Sequence, residues 1–167
     1  MNVTLVLGGA RSGKSRFAES LCKVPRSYIA TAQAFDEEMT QRIANHRGDR
    51  GAAWNTIEAP LDLVGALKTA KSDVLLDCLT LWLTNLMMNE KDDEIEVSAL
   101  IAALENTSNK VVIVSNELGL GLVPEHGLSR RFRDHHGIMN QRVAAAAQCV
   151  VFMVAGIAQV VKGRLPE

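Results

Sequence analysis

Lys14 and Ser15 close the run Gly8-Gly9-Ala10-Arg11-Ser12-Gly13-Lys14-Ser15, which matches Gly-x-x-x-x-Gly-Lys-Ser without a gap. Glycines at this spacing let the backbone curl until successive N–H groups point inward at phosphate oxygens. The lysine reaches the terminal phosphates and the serine hydroxyl can ligate Mg²⁺. The alternative, a glycine-rich turn that binds nothing, fits the context poorly, because an apolar run precedes the motif and a helical pattern follows it. The pattern implies a nucleoside triphosphate site and leaves open what is done with the triphosphate.

Asp77 ends the apolar run Val74-Leu75-Leu76. A carboxylate there could help hold Mg²⁺ beside a P-loop, or could merely cap the next helix. With the P-loop present, the metal role is expected. Glu117 is a second, weaker carboxylate candidate.

His46 falls three residues after Ile43 and seven after Met39, on one helical stripe, with Arg42, Arg47 and Arg50 nearby. Spacing alone favours a histidine that caps the last carbonyls of its helix. The other reading is a nucleophile. A neutral imidazole can attack phosphorus where cations offset the triphosphate charge. His135 and His136 are adjacent, so they project about 100° apart on a helix and make a poor metal pair.

These residues need a scaffold, and the chain alternates apolar runs with helical patterns. Strands are expected at 3–7, 27–31, 54–57, 74–76, 111–114 and 150–154. Helices are expected at 16–23, 36–46, 61–68, 79–88, 97–104 and 129–147, the last with a possible break at Gly137. Residues 47–51 and 116–124 read as loops. The charged stretch 89–96 reads as a solvated loop and helix start. Short, continuous apolar strands between helices predict one α/β domain, residues 1–167, with a mainly parallel sheet covered on both faces. Ligands of such sheets sit beyond the carboxyl ends of the strands.

The 167 residues suit one domain with its own core. A formal net charge of −1 argues against a nucleic-acid surface. Cys22, Cys78 and Cys149 lack metal-ligand spacing and read as buried thiols of a reducing cytosol. No leader-like segment or apolar run near 18 residues is present, so a cytoplasmic protein without a membrane span is expected.

Several segments, in order along nearly the whole chain, resemble the bifunctional adenosylcobinamide kinase / adenosylcobinamide-phosphate guanylyltransferase family of cobalamin biosynthesis. They are the P-loop, Tyr28-Ile29-Ala30-Thr31-Ala32, Arg42-Ile43-Ala44-Asn45-His46-Arg47, Leu75-Leu76-Asp77-Cys78-Leu79-Thr80, Thr84-Asn85-Leu86 and Ser115-Asn116-Glu117-Leu118-Gly119-Leu120-Gly121-Leu122-Val123-Pro124. Arg131-Phe132-Arg133-Asp134 and Asn140-Gln141-Arg142 complete the set. The resemblance implies phosphorylation of adenosylcobinamide by ATP or GTP. GMP would then pass from GTP, through a covalent adduct on His46, to the phosphorylated corrinoid. It also implies nucleotide contacts from Gly8 to Ser15, from Ala30, Thr31 and Ala32, from Arg47, Gly48, Asp49 and Arg50, and from Glu58 and Asp77. Ser15 and Asp77 would hold Mg²⁺. A homotrimer with a nucleotide-binding fold akin to recombinase ATPases is further implied.

Two other readings stay open on residues alone. One is a small-molecule P-loop kinase without nucleotidyl transfer. The other is a GTP-switched binding protein, for which Ser108-Asn109-Lys110-Val111-Val112 lacks the aspartate of a guanine-reading motif.

Overall fold

Strand β1 (Asn2–Gly8) lies inside a seven-stranded sheet and delivers the chain directly into the P-loop. The computed structural model describes residues 2–34, 37 and 53–166. The expected helix at 36–46 and loop at 47–51 therefore fall almost wholly outside the described residues, as does His46.

The other elements are α1 (Lys14–Ser20), β2 (Arg26–Ala30), β3 (Trp54–Glu58), α2 (Leu63–Thr69), β4 (Asp73–Asp77) and α3 (Leu79–Met88). They are followed by α4 (Asp93–Asn106), β5 (Lys110–Asn116), α5 (Gly127–Ala146), β6 (Cys149–Val154) and β7 (Ile157–Lys162). The sheet order is β3-β2-β4-β5-β1-β6-β7. All pairings are parallel except β6 with β7.

The central strands are buried on both faces, which explains their near-continuous apolar sequences. Leu5, Ile29, Leu76 and Ile113 point to one side, where α2, α3, α4 and α5 cover them with Leu63, Trp82, Leu100 and Val143. Val6, Leu75, Val112 and Val151 point to the other side, where α1 contributes Ala18. Each fully buried leucine contributes about 2 kcal/mol of apolar transfer free energy. The expectation of helices on both faces holds, with an uneven split among the described residues.

Three local features depart from the sequence expectation. Helix α5 runs unbroken through Gly137, because His136, Met139 and Val143 bury one face along its length. The general cost of an interior glycine, about 1 kcal/mol, is small beside that packing. Strand β7 was not expected. Ala155 and Gly156 both have positive φ (51° and 82°), the geometry of a tight two-residue hairpin. The sequence does not announce this hairpin, because alanine stands where asparagine or aspartate usually signals such a turn. Strand β5 is longer than expected and carries Ser115 and Asn116 within the sheet.

The charged stretch does start a helix. Asp92 caps α4, its carboxylate accepting from Ile95 N–H at 3.1 Å, and Asp93, Glu94 and Glu96 occupy the first turn. Acidic residues there complement the helix dipole.

Candidate nucleotide site

The P-loop takes the shape its sequence implies. Gly13 adopts φ 89°, a left-handed conformation that glycine tolerates best. Gly8 has no room for a side chain: an added Cβ would stand 2.5 Å from Ser12 Oγ and 2.9 Å from the Met153 carbonyl oxygen. Gly156 of the β6–β7 turn donates its N–H to Ser12 O at 3.0 Å. The unexpected hairpin thus buttresses the loop from behind.

Lys14 Nζ donates to Gly9 O at 3.2 Å, so the lysine folds back over its own loop. Ser12 Oγ is buried with no hydrogen-bond partner among the described residues. An orphaned hydroxyl inside a backbone cradle is a group that an anion could satisfy. A cleft of about 760 Å³ opens here, lined by Arg11, Lys14, Ser15 and Arg16 among others. Three of those four side chains are cationic, which suits a polyphosphate.

Asp77 lies at the exit of β4. Across β2 it shares a row with Ala30 and Glu58: Ala30 is in register with Asp77 on one side and with Glu58 on the other. Three of the expected nucleotide residues therefore align at neighbouring strand exits. Tyr28 donates its hydroxyl to Asp77 Oδ2 at 3.0 Å. As an orienting bond on the carboxylate expected to hold Mg²⁺, it predicts that Tyr28→Phe weakens any Mg²⁺ activation by less than tenfold. A titration of activity against Mg²⁺ checks it, and a loss of more than a hundredfold would contradict it.

Thr31 is fully buried. Its hydroxyl donates to Cys78 O at 2.9 Å and accepts from Cys78 N at 2.8 Å. It pins the turn that follows Asp77. Asn85 of α3 reaches the same region, donating to Thr31 O at 2.8 Å and Pro60 O at 2.9 Å. Together these bonds fix the exits of β2, β3 and β4 relative to one another. Arg47, Gly48, Asp49 and Arg50 lie with His46 outside the described residues. Ala32 is described and half-buried just past β2.

Burial removes the cysteines from consideration as nucleophiles. It pushes the Cys22 thiol up to about 12 and Cys78 to about 11, and it raises Cys149 as well. Thiols held this high carry almost no thiolate at neutral pH. No group of three or more His, Cys, Asp or Glu positioned for a metal occurs among the described residues. Magnesium held on a nucleotide does not need one, since phosphates and water supply most of its ligands.

Sequence reasoning missed a buried polar cluster beside this site. His136 of α5 places Nε2 3.0 Å from Thr80 Oγ1 and 3.4 Å from Ser115 Oγ. Thr80 Oγ1 also receives the Asn116 backbone N–H at 3.0 Å, with one end of the Asn116 side-chain amide at 3.0 Å. Ser115 donates to Asn140 Oδ1 at 2.7 Å, and Asn140 Nδ2 donates to Asn116 O at 2.9 Å. The neighbouring His135 turns away and contacts Asp93 of α4 at 2.7 Å. The 100° step between adjacent helical residues, which argued against a metal pair, separates their roles.

Burial lowers the His136 pKa from 6.5 to about 4, with Glu117 opposing. The unfolded chain protonates this histidine near 6.5 and the folded protein only near 4. The unfolded state therefore binds more protons between those values. The stabilisation is complete above pH 6.5 and is lost as pH falls toward 4, by on the order of 3 kcal/mol. Urea unfolding at pH 7 and pH 4.5 should show a smaller acid-induced loss in His136→Gln than in wild type. An equal loss in both would contradict the assignment.

Comparison with known proteins finds relatives that match nearly the whole chain. The family model described as cobinamide kinase / cobinamide phosphate guanyltransferase matches residues 4–161. The bifunctional adenosylcobalamin biosynthesis protein CobP of Pseudomonas aeruginosa is 47% identical, over 95% of this chain and 96% of the relative. The bifunctional adenosylcobalamin biosynthesis proteins CobU of Salmonella typhimurium and Escherichia coli are 44% and 43% identical, each over 95% of this chain and 98% of the relative. Among solved structures, the P4 protein of bacteriophage phi6 in complex with ADP aligns with a TM-score of 0.43 at 16% identity. That alignment covers 95% of this chain and 52% of that one.

Proposed function

Because the chain belongs to the cobinamide kinase / cobinamide phosphate guanyltransferase family, we propose that it catalyses both reactions on adenosylcobinamide. In the first, the hydroxyl of the corrinoid's aminopropanol arm attacks the γ-phosphorus of ATP or GTP, and the nucleoside diphosphate leaves. In the second, a ring nitrogen of His46 attacks the α-phosphorus of GTP and pyrophosphate leaves. An oxygen of the corrinoid phosphate then attacks the same phosphorus. The histidine departs, and adenosylcobinamide-GDP is formed. A phosphoramidate suits this relay because it is reactive enough to pass its group on.

The observation that carries the reading is the P-loop cleft, with Lys14, Arg11 and an orphaned Ser12 hydroxyl, in a chain whose family match runs nearly end to end. Lys14 would leave Gly9 O and stabilise charge on the transferring group in both steps. The donor set fits Mg²⁺: one serine hydroxyl, Ser15, and one carboxylate, Asp77, are the sparse oxygen ligands this ion takes beside phosphates. When bound, it would neutralise phosphate charge. Ala30, Thr31, Ala32, Glu58 and the residues 47–50 are proposed to complete the nucleotide contacts.

The corrinoid is large for one small domain's cleft, and we place part of its site where subunits of a homotrimer meet. The loop after β5 supports this, since Leu120 and Leu122 are 80% and 96% exposed. A second cleft, of about 940 Å³, lies beside it and is lined by Met87, Leu128 and Phe132 among others. No helix among the described residues is long and apolar enough to cross a membrane, and a cytoplasmic location is proposed.

The test is product analysis. Incubation with adenosylcobinamide, GTP and Mg²⁺ should give adenosylcobinamide phosphate first and adenosylcobinamide-GDP later, both identified by mass spectrometry. Phosphorylation without the second product would leave a small-molecule kinase. GTP hydrolysis with neither product would favour a nucleotide switch.

A further inference from the structure

Asn116 ends β5 in register with Gly8 of β1, and Glu117 N–H donates to Gly8 O at 3.1 Å. Because β5 lies between β1 and β4, Asn116 stands between the start of the P-loop and the Asp77 exit. Its side-chain amide meets Thr80 Oγ1 at 3.0 Å. The two ends of an amide exchange by a half-turn with no change of shape, so donor counting decides which end faces Thr80.

The count begins with groups of fixed sense. The Asn116 carbonyl oxygen can only accept, so Asn140 Nδ2, 2.9 Å away, donates to it. That orients the Asn140 amide and sets its Oδ1 against Ser115 Oγ at 2.7 Å, where the serine donates. The second proton of Asn140 Nδ2 faces His136 Nδ1 at 3.4 Å, which makes Nδ1 the unprotonated ring nitrogen. Burial keeps the ring neutral, so its proton sits on Nε2 and is donated to Thr80 Oγ1 at 3.0 Å. The Asn116 backbone N–H donates to the same oxygen at 3.0 Å. With two donors received, the Thr80 hydroxyl must donate in turn, and the amide end it faces is the oxygen. The opposite orientation moves the ring proton to Nδ1, directly against Asn140 Nδ2. Two donors would then meet in a buried site, an arrangement proteins avoid.

We infer that His136, acting through Thr80, holds Asn116 with its amide N–H₂ group turned out to the strand exits, as a phosphate contact between the P-loop and Asp77. The inference rests on the reading of this cleft as a triphosphate site. A neutral donor held in place suits the oxygens of a transferring phosphoryl group, and no reorganisation is needed at the moment of reaction. Thr80 and His136 are positioning residues, since they act through Asn116.

Nuclear magnetic resonance of the ¹⁵N-labelled protein at pH 7 reads the tautomer directly, and the proton of His136 is expected on Nε2. Calorimetric titration with GTP and Mg²⁺ should show about tenfold weaker binding by the near-isosteric Asn116→Asp, which sets a carboxylate against the phosphates. Thr80→Val should lower kcat for corrinoid phosphorylation about tenfold with KM for the corrinoid within about twofold, and Thr80→Ser should recover most of it. A proton on Nδ1, wild-type GTP affinity in Asn116→Asp, or equal rates for Thr80→Val and Thr80→Ser would each overturn the inference. If the tautomer and the GTP affinities come out as expected while the wild type fails to phosphorylate adenosylcobinamide, the inference stands and the assigned substrate falls.

Discussion

Lys14→Ala should abolish both phosphorylation and guanylyl transfer, lowering each by about a thousandfold. The two proposed reactions attack different phosphorus atoms, but both build negative charge on oxygens of one polyphosphate chain. The cleft that would hold that chain draws its charge from Arg11, Lys14 and Arg16. Lys14 is the member that the motif aims at the terminal phosphates. In this structure its Nζ donates an exposed hydrogen bond to Gly9 O, and a charged phosphate oxygen is the stronger acceptor. The fold should barely notice the substitution, because the loop is shaped by Gly13, by the crowding at Gly8 and by the Gly156 brace. Steady-state rates with each substrate, beside a thermal melt within a few degrees of wild type, check this. A variant that kept either activity near wild type would place that reaction's phosphates elsewhere.

His46→Ala should separate the two activities. Guanylyl transfer should vanish, while phosphorylation of adenosylcobinamide stays within about threefold of wild type. The reason is chemical. The first reaction joins a hydroxyl to the γ-phosphorus and needs no protein nucleophile. The second, as proposed, passes the nucleotide through a covalent bond to a protein nucleophile, the role given to His46. Among the described residues, His136 is buried and committed to Thr80, and His135 is engaged with Asp93. The cysteines carry almost no thiolate. Assaying the two products separately decides the matter. Equal loss of both activities would make His46 a structural cap, the role its spacing alone favours.

How much of this was legible in the sequence depends on how local each signal is. The P-loop reads from eight consecutive residues because its chemistry is mostly backbone geometry, and Gly8 and Gly13 are glycines for reasons the structure makes explicit. The central strands read well because burial on both faces leaves a continuous apolar run. Strand β7 does not, since Gln159 interrupts its short run and its turn uses alanine at positive φ. The possible break at Gly137 does not occur, because the packing of α5 around Met139 and Val143 outweighs the local preference of one glycine. Asp77, Ala30 and Glu58 were each expected at the site, but their alignment in one row depends on register, which no single strand encodes.

The Thr80–His136–Asn116 cluster was not legible at all. Thr80 stands 56 residues from His136 and 36 from Asn116 in the chain. The 100° step that makes His135-His136 a poor metal pair does not say which ring turns to the sheet exits and which to α4. A histidine on the buried face of a helix, four residues before an asparagine, was the available signal.

The central claim is that one triphosphate site presents two phosphorus atoms to two different nucleophiles, one of them part of the protein. Incubating the wild-type protein with Mg²⁺ and either α-labelled or γ-labelled GTP, without corrinoid, and then denaturing it tests this most directly. The α label should stay on the protein in an acid-labile, base-stable bond, absent from His46→Ala, and the γ label should leave no trace. A wild-type protein that keeps neither label, or a His46→Ala variant that still keeps the α label, would contradict the account.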